Sequence, residues 1–173
     1  MDGLFPEVSD VVLGLLQASG AGGVNGLPVY GAECSDITAI FTIAVGAGAD
    51  ANNQVTVAIK ASSDNASTGV ETLTFDQIFV KTGNPLLKDD PASGNAGDWT
   101  RTDYAAGATS YQTAVASGTK QMRIAIPFRG RKLPKGKPYF SAHVTALVAA
   151  RVVGIEYIRN VNSYAPGINR DLY

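Results

Sequence analysis

From residue 36 the chain alternates: Ile37, Ala39, Phe41, Ile43 and Val45 fall in one phase, and Thr38, Ile40, Thr42 and Ala44 in the other. A period of two sends successive side chains to opposite faces of a strand, so this run predicts a β-strand ending at the glycine- and asparagine-rich stretch 46–53. Val55, Val57 and Ile59 alternate in the same way with Thr56, Ala58 and Lys60, and the two runs together predict a hairpin. In the run 71–81, Leu73 and Phe75 occupy one phase while Ile78 and Val80 occupy the other, which predicts a bulge near Asp76 or Gln77. Tyr111, Thr113 and Val115 alternate, then Met122, Ile124, Ile126 and Phe128, so a second hairpin is expected about Ser117 and Gly118. The runs 139–148 and 151–160 are apolar on both faces around Phe140, Val144, Val153 and Ile155, the signature of central strands.

The flanks differ. The first 29 residues mix glycine and apolar residues without lasting periodicity and predict an extended arm, with a short helical turn over 10–17 that Asp10 could cap. Residues 161–173 carry Pro166 and Gly167 without strand patterning and predict a C-terminal arm. Residues 83–97 are dense in turn formers and predict a long loop. Seven to eight strands with little helix have to bury one face of each sheet on another sheet. The expected fold is therefore all-β, a single β-sandwich or jelly roll over 30–160 with arms 1–29 and 161–173.

Composition sharpens this picture. In 173 residues, 45% are hydrophobic and only 17% charged, with a mean hydropathy of +0.05, so small polar residues cover much of the surface. Such a surface loses little side-chain entropy on packing against a neighbour and favours assembly. The charge is unevenly spread: residues 1–119 carry 4 basic and 13 acidic side chains, and residues 120–173 carry 10 and 2. That asymmetry fits head-to-tail contacts between subunits, a basic face toward a polyanion, or two charge sets meeting within one fold. The segment 11–19 has the apolar character of a signal-peptide core, but Asp2, Glu7 and Asp10 precede it without a basic residue, so no signal peptide is expected. No apolar run approaches the ~20 residues of a membrane-crossing helix.

Candidate chemistry is sparse. His143, the one histidine, lies in a β-patterned run and reads as a strand histidine satisfied by its neighbours. Cys34 has no basic neighbour in sequence and reads as a small buried thiol. Asp89, Asp90 and Asp98 match no calcium-loop spacing. Asp36, Glu71, Asp76 and Glu156 are the acids within strand runs, and they carry no glycosidase signature. No catalytic residue, cofactor or metal site is assigned. The sharpest feature is a basic turn: Arg129, Arg131, Lys132, Lys135 and Lys137, five cations in nine residues between two expected strands. It reads either as a solvated turn or as a grip on phosphate or carboxylate. Trp99 reads either as a core anchor or as an exposed platform that stacks on a sugar ring.

The strands ITAIFTIAVGAGADANNQVTVAIKASSDN, TKQMRIAIPF and PYFSAHVTAL, together with the loose termini, carry a resemblance. In style over residues 36–160, without a fixed motif, the chain resembles small virion shell proteins of bacteriophages: β-sandwich capsid auxiliary (decoration) subunits and single-jelly-roll capsid proteins. The resemblance implies a virion structural protein that is not an enzyme. Its partners would be copies of itself and other shell proteins, with genome or membrane surface as a polyanion for the basic turn and no small-molecule substrate. A carbohydrate-binding or receptor-binding sandwich module is the alternative, and an enzyme using paired carboxylates is the third expectation.

Overall fold

The alternation from Ile37 to Ile43 becomes β4 (Cys34–Ala44), in which Ile37, Ala39, Phe41 and Ile43 are fully buried while Thr38, Ile40 and Thr42 are half-buried on the opposite face. The computed structural model describes residues 9–19, 24–44, 54–82, 99–113, 121–146 and 151–161. The other elements are β1 (Ser9–Ser19), β2 (Val24–Asn25), β3 (Val29–Tyr30), β5 (Val55–Ser62), β6 (Glu71–Thr72), β7 (Phe75–Thr82), β8 (Thr100–Ala108), β9 (Tyr111–Gln112), β10 (Gln121–Arg129), β11 (Tyr139–Ala146) and β12 (Arg151–Val161). A 3₁₀ turn, Gly130–Lys132, follows β10.

These strands form two antiparallel sheets. The larger has the order β1-β12-β4-β10-β7-β8; the smaller runs β2-β11-β5-β6, with β3 also on β11 and β9 also on β5. The all-β sandwich expected from the sequence is what the chain forms. Strands β11 and β12 each have neighbours on both sides, as expected of central strands, but β11 is apolar on its inward face alone, with Ser141, His143 and Thr145 on the other. The expected bulge is present too, since the β7–β8 register shifts between Phe75 and Gln77.

Three local expectations are corrected. Strands β4 and β5 do not pair as a hairpin: β4 lies in the large sheet between β12 and β10, and β5 lies in the small sheet. The second hairpin does not form among the described residues either, because β9 pairs with β5 while β10 pairs with β4 and β7. Alternation states which face of a strand is buried, and it is equally satisfied by a partner across the core as by one alongside. Residues 9–19 are a strand and not a helical turn, because β12 supplies a ladder along their length and Asp10 lies opposite Arg159 in it. Residues 1–8, the expected loop 83–97 and all of the expected C-terminal arm 161–173 beyond Val161 lie outside the described residues.

The core sits between the sheets. Ile124 and Ile126 of β10, Ile155 and Tyr157 of β12 and Ile78 of β7 meet Val57, Ile59, Phe140 and Val144 of the small sheet, all at 0% exposure. Burying each such side chain contributes ~1.5–3 kcal/mol, several times an exposed ion pair, so the inward faces decide the architecture. Phe140 joins the layers: its ring lies 5.7 Å from Phe128 and 5.9 Å, edge to face, from Tyr157. Tyr157 brings a hydroxyl into this apolar layer, and the Ala142 N–H donates to it at 2.9 Å, linking β11 to β12 across the core. Burial pushes the Tyr157 phenol up to about 12. Tyr157→Phe would leave the Ala142 N–H buried without its acceptor and should cost about 1–3 kcal/mol, read from denaturant midpoints at an unchanged m-value.

Candidate functional site

The basic turn is built on close contact between two loops. Gly130 is buried against the segment leading into β4, and a Cβ there would overlap the carbonyl oxygens of Cys34 and Gly31. Glycine is what lets the backbones meet. The Leu133 N–H closes the 3₁₀ turn on Gly130 O at 3.0 Å, Gly31 N–H donates to Pro138 O at 2.8 Å, and Cys34 N–H donates to Gly31 O at 3.1 Å. This clamp fixes the backbone on which Arg129 and Arg131 stand, both with exposed side chains.

The five cations do not act as one cluster. Lys132 Nζ donates to Asp76 Oδ2 at 2.7 Å, and Lys137 Nζ donates to Glu71 Oε2 at 2.6 Å. Such exposed pairs stabilise the fold by at most about 1 kcal/mol, but they neutralise two of the five charges. Among the described residues, the side chains of Arg129, Arg131 and Lys135 form no hydrogen bond or ion pair.

Arg129 stands between two adjoining clefts. One, about 340 Å³, is lined by residues including Asp36, Asp76, Phe128, Arg129 and Lys132. The other, about 450 Å³, is lined by Ala32, Cys34, Ser35, Asp36, Arg129 and Arg131. Asp36 lies directly opposite Arg129 in the β4–β10 ladder, yet the two form no ion pair. Two guanidinium forks beside a carboxylate can take an oxyanion and a cationic donor together. Sequence reading singled out the cations but missed Asp36 as their neighbour, because the two stand 93 residues apart and only the β4–β10 pairing brings them together.

The other candidates separate. Asp36 and Asp76 share the first cleft, whereas Glu71 is on β6 and Glu156 accepts from Arg123 Nη2 at 3.3 Å on the outer face of the large sheet. Cys34 is buried, as expected. Trp99 is 43% exposed just before the exposed edge strand β8, which overturns the core-anchor expectation. Asp89, Asp90 and Asp98 lie outside the described residues, and among the described residues no three His, Cys, Asp or Glu side chains cluster.

His143 is held by its neighbours, as expected: Nδ1 faces Asn25 Oδ1 at 2.5 Å and Nε2 faces Thr145 Oγ1 at 3.0 Å. The neutral tautomer that donates from Nδ1 and accepts at Nε2 satisfies both contacts. Burial, and secondarily the Lys60 charge, holds its pKa below the ordinary 6.5. The unfolded chain therefore takes up the proton first on acidification, so this histidine's stabilisation is complete above pH 6.5 and declines as pH falls below it. Urea midpoints at pH 7.5 and pH 5 should show a smaller acid-side loss in His143→Gln than in the unmodified protein.

No protein family, curated protein or solved structure matches this chain.

Proposed function

We propose that the chain is a virion structural protein, a capsid or capsid-associated subunit that assembles with copies of itself or other shell proteins and acts without a reactive centre. The observation that carries this reading is the outer face of the large sheet. Ile40, Ala125 and Phe79 lie in register across β4, β10 and β7, with Pro127 and Ile158 on the next row of the same face. All five are half-buried. Glu156 pairs in register with Ile40 at one end of the first row and Arg101 with Phe79 at the other. An apolar centre bracketed by charge is the anatomy of a protein contact, and a chain this poor in charge offers little repulsion to repeated copies.

The small sheet presents a different exterior, with the half-buried Thr56, Lys60, His143 and Thr145 on its outward side. One apolar and one polar exterior suit a subunit with a neighbour-facing and a solvent-facing side. The test is light scattering and negative-stain microscopy of the purified protein, with Phe79→Asp as the probe. The unmodified protein should form closed oligomers or shell fragments, and the variant should stay folded with assembly reduced at least tenfold. A folded monomer at high concentration would defeat the proposal.

The exposure of Trp99 favours a second reading, a carbohydrate-binding or receptor-binding module in which the indole stacks on a sugar ring. On that reading, glycans shift the tryptophan emission and Trp99→Ala removes binding, whether or not the protein oligomerises.

A further inference from the structure

At the Arg129 end, exposed charges of both signs stand close together without pairing to one another. Four ion pairs form among the described residues: Arg101–Asp103, Arg123–Glu156, Lys132–Asp76 and Lys137–Glu71. The carboxylate of Asp64 is held by the Ala66 and Thr68 N–H groups of its own loop. Around the second cleft, by contrast, Asp36, Arg129 and Arg131 form no ion pair with any described residue, nor does Glu33 beside them. All four are exposed. Asp36 and Arg129 are ladder partners, close enough in principle to meet, and the Gly130 clamp holds the turn between the two arginines.

A patch carrying both signs side by side is complementary to itself under a twofold rotation, since each arginine then meets a carboxylate of the other copy and the reverse. We propose that this end of the sandwich is a twofold contact with a second copy of the chain, in which Arg129 and Arg131 of each copy pair with Glu33 and Asp36 of the other. The proposal deepens the assembly reading and rests on it only in taking the partner to be another copy. Asp36 and Arg129 also follow, in register, the outer-face positions Thr38 and Pro127 next to the apolar row. The charged contact thus continues the apolar face. A polyanion fits this patch less well: Glu33 and Asp36 repel phosphate, and Lys132 and Lys137 are already neutralised.

The experiment uses two complementary variants of the full chain, one with Arg129→Glu and Arg131→Glu, the other with Glu33→Lys and Asp36→Lys. Circular dichroism and unfolding midpoints establish that both fold, and sedimentation velocity reads association. Each variant alone should self-associate roughly tenfold or more weakly than the unmodified protein, and an equimolar mixture should form heterodimers that weaken as salt rises. Unmodified self-association in either folded variant would overturn the proposal, as would failure of the mixture to associate. Loss of heparin retention in the arginine variant with self-association intact would overturn it in favour of a polyanion site. Particles that persist in both variants remove the twofold contact and leave the shell reading standing. Heterodimers restored without larger particles do the reverse.

Discussion

The structure depends on burying the inward faces of two sheets against each other. Phe41, Ile124, Ile126 and Ile155 on one side and Val57, Ile59, Phe140 and Val144 on the other leave no room for an unpaired polar group. Tyr157 is admitted because the Ala142 N–H meets its hydroxyl. Among the described residues the charged side chains are consequently displaced to the outer faces, the edges and the ends of the strands, and it is there that function has to be sought.

Three of the four sheet edges are blunted, and the long strand β1 (Ser9–Ser19) forms the fourth. In the small sheet the outer positions are held by strands of two residues each, β2, β3, β6 and β9, too short to template another chain. On the large sheet, β8 carries the Arg101–Asp103 ion pair along its edge and a register shift against β7. Charge and irregularity both oppose strand addition. The outer face of the large sheet has no such device over Ile40, Ala125 and Phe79, which is why association is assigned to that face.

At the Arg129 end, packing and electrostatics act in sequence. Gly130 allows the turn to seat against Gly31 and Cys34, and only then are the arginines fixed relative to Asp36. A run of five like charges would repel itself in a loose turn. Pairing Lys132 with Asp76 and Lys137 with Glu71 lowers that repulsion and ties the turn to β7 and β6. What remains uncompensated is a small mixed-sign patch, not a broad basic surface.

The sequence by itself determined the all-β class, the buried phase of β4, β5 and β10, the change of phase at Asp76, the inner placement of β11 and β12, the satisfied state of His143 and the burial of Cys34. These follow from local periodicity or from residue type, which act over a few positions. Only the tertiary structure decided that β4 and β5 lie in different sheets, that residues 9–19 extend along β12, that Trp99 is exposed, and that Asp36 stands beside Arg129. The reason is common to all four. Alternation records that a face is covered but not by what, and pairing between strands far apart in the chain is settled by the joint burial of many side chains, a sum that no short window of sequence contains.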